Sequence, residues 1–172
     1  MKAIAQITCV ALVYLAPGGE TAQAQQADTG CRSEPGPGTA QTLRCSNGVI
    51  IVAEDGANFT LQSRDANVSS VDLKSKALLL DAPTPSGRSR FRTTTPQAIA
   101  AVRGTKWAVD VHGTRTSVLA LKGQVAVRRP GGPRPVVLGP GEGVDVDAGT
   151  DPLAIKRWAR SRIDALLARL GQ

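Results

Sequence analysis

The chain has 172 residues and a formal net charge of +7, from 21 basic against 14 acidic side chains. This length predicts one domain with at most a small appendage. With one histidine and three cysteines, the sequence lacks the ligand clusters and paired bases typical of metal centres and nucleophilic enzymes.

Residues 1–24 have the pattern of a cleaved signal peptide. Met1 and Lys2 form a short positive segment, residues 3–16 are mostly apolar, and residues 22–24 offer a small-residue cleavage site. The apolar stretch is shorter than the roughly 20 residues that a spanning helix needs. We therefore predict cleavage before residue 25 and a mature protein without a transmembrane segment, with an uncleaved anchor as the alternative.

The basic charge indicates the class of partner. A secreted chain is not expected to meet nucleic acid, so its positive surface favours lipid headgroups, acidic glycans or an acidic protein face. An ordinary solvated basic surface is the alternative.

Cys31 and Cys45 are the two cysteines left after cleavage, and an even number in an oxidising compartment predicts a disulfide. The loop between them has almost no apolar side chains, so a bond that stabilises by about 3 kcal/mol would hold a segment that burial cannot order. We expect it to close an N-terminal hairpin region at 31–61, where the turn-forming glycines 48 and 56 precede two predicted strands.

The run 77–80 is apolar throughout, which fits a strand buried on both faces, although a short helix has the same pattern. The segment 73–80 is echoed at 121–128, and each copy is followed by a proline-rich turn. Such repetition favours stacked, coil-like β structure.

Residues 95–146 carry the clearest architectural signal. Apolar residues alternate along 107–111, 125–127 and 144–146, and glycines at 104, 123, 139 and 141 separate the runs. Apolar residues at every second position lie on one face of a strand. Glycine allows the positive φ or the close approach of backbone segments that a tight turn requires. The segment predicts short strands, with Trp107 buried, and contains no obvious chemistry.

Residues 151–172 predict a C-terminal amphipathic helix. Asp151 is an N-cap residue before Pro152, and Gly171 lies at the C-terminal cap. The apolar residues on one helical face are Ile155, Ala159, Ile163, Leu166 and Leu170. We favour a helix that covers an open end of the β domain; a basic helix lying on an anionic membrane is the alternative.

Arginines supply the best candidate binding surface. Arg88, Arg90 and Arg92 alternate along one predicted strand, and Arg128 and Arg129 form a second cluster. Arginines on one strand face can bind carboxylates or phosphates bidentately. They are equally compatible with the solvent-exposed face of an edge strand.

Candidate catalytic and metal-binding residues are few. His112 lies at a predicted strand end without a partner, and there is no Gly-x-Ser-x-Gly motif. Asp145, Asp147 and Asp151 suggest a calcium loop, but the other ligands of that motif are missing, and alternation with valine favours the outer side of an edge strand. We predict a protein that is not an enzyme and uses no cofactor or metal.

The glycine-punctuated segment resembles the FecR-domain family. Residues 99–107 (IAAVRGTKW) are similar to the core of that family, residues 116–127 (TSVLALKGQVAV) to the element that follows, and residues 138–144 (LGPGEGV) to its closing turn. With its disulfide region and terminal helix, the chain looks like a small secreted member.

The resemblance implies an all-β domain over 25–150, either solenoid-like or a twisted β-sandwich of short strands, followed by one α-helix. It also implies a place in the periplasm of a Gram-negative bacterium. Membrane-spanning members of the family control an extracytoplasmic-function sigma factor and receive a signal from an outer-membrane TonB-dependent receptor. This sequence shows no cytoplasmic arm before its hydrophobic segment, so only the β module is carried over.

Two functional hypotheses follow. We expect a non-enzymatic periplasmic module that binds an unknown protein partner, in signalling or regulation. The alternative is an envelope-associated module whose basic surface binds peptidoglycan, acidic glycan or anionic lipid headgroups.

Overall fold

The computed structural model describes residues 30–64, 67–83, 90–132 and 134–172. The predicted signal peptide at 1–24 and Arg88 lie outside these ranges. Within them the chain forms thirteen β-strands and one α-helix. The elements are β1 (Cys31–Pro35), β2 (Gln41–Cys45), β3 (Ile50–Ala53), β4 (Asn58–Arg64), β5 (Asn67–Ala82), β6 (Phe91–Thr94), β7 (Ile99–Val102), β8 (Thr105–His112), β9 (Arg115–Lys122), β10 (Val125–Arg128), β11 (Val136–Leu138), β12 (Glu142–Asp147), β13 (Ile155–Arg157) and α1 (Arg160–Arg169).

The strands form one continuous sheet that folds into two packed layers. Layer A has the order β1-β2-β3-β5-β8-β9-β12-β13, and layer B has the order β11-β10-β7-β6-β5-β4. Neighbouring strands are antiparallel except for β5 and β6. The all-β prediction is confirmed, and of its two forms the sandwich describes the molecule, because stacked coils would require parallel ladders between successive turns.

Strand β5 belongs to both layers. Its N-terminal half pairs with β4 and β6 in layer B, and its C-terminal half pairs with β3 and β8 in layer A. Lys76, where the strand passes between layers, has φ 66°, a left-handed conformation that residues other than glycine rarely adopt. Its ammonium group donates a hydrogen bond of 2.5 Å to the carbonyl of Asp55, which ties the bend to the turn before β4.

The inner faces of the layers enclose the main apolar core. Trp107 of layer A is fully buried, as predicted, and its ring centroid lies 5.7 Å from that of Phe91 in layer B. This tilted contact is a favourable arrangement for two aromatic rings. The predicted Cys31–Cys45 bond is confirmed: it joins directly opposed residues of β1 and β2, and both cysteines pack against the same core.

The apolar run 77–80 is a strand segment within β5, and it is buried on both faces as predicted. Leu78 and Leu80 face the core between the layers. Ala77 and Leu79 lie on the outer face of layer A, where α1 covers them.

The N-terminal region 31–61 is more than a hairpin. β1 and β2 form the disulfide-closed hairpin, but β3 pairs with β2 and β5, while β4 pairs with β5 alone. These pairings hold the region to the rest of the sandwich through β5.

The echo between 73–80 and 121–128 does not reflect a structural repeat. The first segment lies within one strand, whereas the second contains the turn between β9 and β10. Gly123 in that turn has φ +75°, and a Cβ added there would lie 2.8 Å from the carbonyl oxygen of Gly104. The glycine of the second segment therefore serves a tight turn that the first segment does not contain.

The C-terminal helix begins at Arg160, later than the predicted start at 151. Residues Ile155–Arg157 instead form β13, which pairs with β12 and supplies hydrogen-bond partners to a strand edge that would otherwise be open. Ile155 is consequently 42% exposed and does not join the apolar face of a helix. α1 covers the outer face of layer A and not an open end of the domain. Within the ranges described, no helix has the length and apolar character needed to cross a membrane.

Candidate functional site

The outer faces of the two layers differ in whether another element packs on them, and α1 packs on the outer face of layer A. Four apolar side chains lie in register across its central strands. They are Val52, Leu79, Ala108 and Leu119. Leu166 and Leu170 of α1 pack onto this row together with Trp158, and all three are buried. The helix thus closes an apolar stripe that the strands alone would expose.

A row of polar side chains runs beside the apolar row. Asp110, Ser117 and Asp145 are register neighbours on β8, β9 and β12. Arg162 donates to Asp145 at 3.0 Å, and Arg169 donates to Asp110 at 2.8 and 3.0 Å. Seven residues of helix rise about 10.5 Å, and two strand spacings are about 9.6 Å. The spacing of the two arginines along α1 therefore equals the spacing of two carboxylates that lie two strands apart. Pairing both of them requires the axis of α1 to run across the strands.

Two carboxyl groups in this contact, those of Glu54 and Asp145, have lowered pKa values. Glu54 accepts two further hydrogen bonds from Arg169, at 3.0 and 2.6 Å. Burial acts to raise the pKa of Glu54, but hydrogen bonds from Arg169 and the amide of Ala77 outweigh it, so that the pKa is lowered. The pKa of Asp145 is also lowered, because its bonds with Arg162 outweigh the effect of burial. A carboxyl group whose pKa is lowered by a bound arginine stays deprotonated and is unsuited to general acid catalysis.

A groove of about 190 Å³ lies between α1 and layer A, beside Trp158. The indole packs against Gly143, and the guanidinium of Arg162 lies 3.5 Å from a ring centroid of the indole, a cation–π contact. The charged residues that line the groove include Arg162, Arg169 and Asp110, and all three are engaged in the ion pairs described above. The groove is therefore part of the contact between helix and sheet.

No described element packs over the outer face of layer B, which we call the open face. Its first row, on β6, β7, β10 and β11, consists of Arg92, Ala101, Ala126 and Val137. In the neighbouring row, Ile99 lies opposite Arg128. Ile99, Ala101 and Ala126 are half-buried, and Val137 is 48% exposed. Small and branched apolar side chains thus lie uncovered between arginines.

The structure separates the arginines that the sequence groups together. Arg92 is exposed on the open face and Arg90 directly precedes its strand; within the described parts of the chain neither has a hydrogen bond or an ion pair. Arg128 lies on the same face and donates one hydrogen bond, of 3.2 Å, to the carbonyl of Arg129. Arg129 itself holds the loop after β12, donating to the carbonyl of Asp151 at 3.1 and 3.3 Å. Of the five candidate arginines, Arg92 and Arg128 therefore share the open face, and Arg90 lies at its edge.

The residues considered for catalysis or metal binding have other surroundings. His112 is exposed at the end of β8. Asp145 pairs with Arg162, and Asp147 pairs with Arg115 at 2.6 Å. Three His, Cys, Asp or Glu side chains placed to hold a metal ion do not occur together among the described residues. The two aspartates alternate with buried valines as predicted, but β12 is not an edge strand, because it pairs with both β9 and β13. Both aspartates serve as partners for arginines.

The interlocking of α1 with layer A is the contact that sequence analysis missed. Its signal is the spacing of Arg162 and Arg169, two turns apart on the side of the helix that carries Leu166. The matching acids come from β8 and β12, and only the strand register brings Asp110 and Asp145 into one row.

The chain is similar to proteins of one family. The family model described as FecR protein matches residues 32–126, which includes the N-terminal hairpin as well as the glycine-punctuated strands. No curated protein matches the chain significantly.

Two crystal structures of a candidate anti-sigma factor from Parabacteroides distasonis ATCC 8503 resemble the fold, each with a TM-score of 0.61. They are 17% and 16% identical to the chain; the alignments cover 77% and 80% of this chain but only 62% and 64% of those proteins. At this identity the similarity establishes the fold alone.

Proposed function

Because the chain belongs to the FecR protein family, we propose that it is a non-enzymatic regulatory module that acts by binding a protein partner. The two similar structures are described as a candidate anti-sigma factor, which supports a place in signalling. We also propose that the protein works in the periplasm, since the Cys31–Cys45 bond is typical of an oxidising compartment.

The contrast between the two outer faces carries this proposal. On layer A, α1 covers the apolar row, and the arginines of α1 form ion pairs with the neighbouring acidic side chains. On layer B, Ile99 and Val137 are left partly exposed beside Arg92 and Arg128, and neither arginine has a carboxylate partner among the residues that the structure describes. Apolar patches rimmed by polar residues mark interaction sites on soluble proteins. The open face of layer B is therefore the proposed partner-binding surface.

Site-specific photocrosslinking tests this proposal in intact cells of the native host. A photoreactive amino acid replaces Val137, at the exposed rim of the open face, or Ser161, an exposed residue of α1 on the opposite side of the sandwich. We expect a discrete protein adduct from position 137 and none from position 161. Equal labelling from the two positions, or no protein adduct from position 137, would show that the open face does not bind a protein.

A second function, capture of an anionic envelope polymer, is supported by the net charge of +7 and by Arg90 and Arg92, which have no ion-pair partner within the described ranges. Binding by exposed charges alone weakens steeply as salt rises, whereas a contact with an apolar centre largely persists. Co-sedimentation with purified peptidoglycan and with anionic lipid vesicles, at low and high salt, separates the two functions. Salt-sensitive binding to either material without a protein adduct would favour this second function.

A further inference from the structure

We propose that the open face binds an acidic amphipathic helix of the partner protein, with two carboxylates about two turns apart that engage Arg92 and Arg128. This inference rests on the proposed function and specifies the chemistry of the partner at that surface. It follows from the spacing of the arginines, the size of the side chains between them, and the way in which the chain binds its own helix.

The spacing of the two arginines matches a helix. Arg92 lies on β6 and Arg128 on β10, with β7 between them, and the two positions are one row apart on the same face. Two strand spacings combined with two residues of strand rise separate their Cα atoms by about 12 Å. Residues seven or eight apart on a helix rise about 10.5 to 12 Å. Two carboxylates at that spacing reach both guanidinium groups simultaneously, in the paired geometry that arginine favours.

The side chains between the arginines allow close approach. Ala101 and Ala126 are register neighbours at the centre of the face, and both are half-buried. Ile99 and Val137 provide apolar contact on either side of them. A helix that rests on the two alanines can bury its own apolar stripe there while its acidic residues extend to the arginines.

Layer A shows that this sandwich binds a helix in the same manner. On that face Arg162 and Arg169 are seven residues apart on α1, and they pair with Asp145 and Asp110, two strands apart. Layer B has the same two-strand separation with the signs of charge exchanged, since the arginines are on the sheet. The complementary helix must accordingly carry the acids.

The charge of the face disfavours a second copy of the chain as the occupant. Asp72 is the one acid in the two rows that contain the arginines, and it is paired with Lys74 at 3.0 Å. Two copies facing each other across a two-fold axis would place their arginines together, and like charges across an interface cost several kcal/mol.

The composition of the face favours a protein segment over an anionic polymer. Aliphatic side chains occupy its centre, and a glycan strand or a layer of lipid headgroups offers them little apolar surface to bury. Arginine is also enriched in protein interfaces, whereas lysine is depleted there. The patch is four strands wide, about 14 Å, which is the scale of a weak, transient contact.

The experiment maps the adduct formed from position 137 and then reverses the charges. Mass spectrometry of the crosslinked partner should identify a segment whose apolar residues have the period of an amphipathic helix, with two acidic residues seven or eight positions apart. Arg92→Glu combined with Arg128→Glu is expected to lower the adduct yield at least about tenfold, the effect of losing one charge-assisted contact. The matched control, Lys156→Glu combined with Arg160→Glu, makes the same change in net charge at exposed positions on the other side of the sandwich and should leave the yield unchanged.

Two further variants keep the test independent of folding. Arg92→Gln with Arg128→Gln removes the charges without reversing them and should give a smaller loss. Replacing both partner acids by arginine should restore crosslinking to the Glu variant. An adduct on a segment without paired acids, or equal losses in the Glu variant and its control, would overturn this inference and leave the protein-binding function standing. Adducts only on glycan or lipid would overturn both.

Discussion

Gly143→Ala is expected to destabilise the protein by disturbing the seat of Trp158 on layer A. A Cβ added at position 143 would lie 2.4 Å from both Cε2 and Nε1 of the indole, far inside the usual contact distance of about 3.5 to 4.0 Å between heavy atoms. The ring is rigid and only 6% exposed. Either the ring or strand β12 must therefore move.

Movement of the backbone and movement of the ring set the lower and upper limits of the expected loss in free energy of unfolding. If the ring stays and the backbone shifts, overpacking costs about 1 to 3 kcal/mol. If the ring leaves, the loss approaches that of removing a buried tryptophan, about 3 to 5 kcal/mol, and the contact with Arg162 is lost as well. The protein will adopt the less costly response, so we expect a loss of about 1 to 3 kcal/mol, equivalent to about 2 to 12 °C in Tm.

Urea unfolding of matched variants measures this loss. Gly139→Ala is the control, because its added Cβ would meet its nearest atom, Oε2 of Glu142, at an ordinary 3.4 Å; its effect should stay within about 0.5 kcal/mol. A double-mutant cycle then isolates the clash. In a Trp158→Ala background, Gly143→Ala should cost nothing. An equal loss in both backgrounds would refute the assignment of the effect to the indole.

Three further predictions concern the helix contacts, the disulfide and the core. Arg169→Met should lower the free energy of unfolding by about 1 to 2 kcal/mol at pH 7, allowing for solvent screening. Because the pKa of Glu54 is depressed in the folded protein, the part of this difference that comes from the Arg169–Glu54 pair should be full above the usual glutamate pKa of about 4.3 and be lost as pH falls through the depressed value. The difference measured by urea unfolding should therefore be smaller at pH 3 than at pH 7, and an equal difference would contradict this reasoning. The form spanning residues 25–172 should show no titratable thiol when denatured without reductant, and Cys31→Ser with Cys45→Ser should destabilise it by about 3 kcal/mol, whereas two titratable thiols would exclude the bond. In the Trp158→Phe variant, whose only tryptophan is Trp107, the tryptophan fluorescence should be blue-shifted and resistant to quenching by iodide. Strong quenching would contradict the burial of Trp107.

Local patterns in the sequence predicted local structure well. Alternation along 107–111 depends only on neighbouring residues, and it correctly indicated a strand with Trp107 turned inward. The pairing of Cys31 with Cys45 followed from composition and spacing, because these are the two cysteines outside the predicted signal segment. The family resemblance had the same origin, since its glycines define turns within a few residues of each other.

Contacts between distant segments were not accessible in the same way. Asp151 and Pro152 have the chemistry of a helix start, but pairing of the following residues with β12 outweighed that local preference. The candidate surface shows a related limit. Arg128 and Arg129 are adjacent in sequence, yet the first belongs to a strand face and the second bonds to a loop that the sequence gives no reason to place there.

The sharing of β5 between the layers makes the two outer faces thermodynamically inseparable. Neither layer can unfold without disrupting the other, because β3 and β8 of layer A pair with the same sixteen-residue strand as β4 and β6 of layer B. A ligand that binds the native state raises the free energy of global unfolding. It therefore slows hydrogen exchange at every amide that exchanges only when the whole protein unfolds. A partner seated on layer B should consequently slow hydrogen exchange beneath α1, on a face that it never touches.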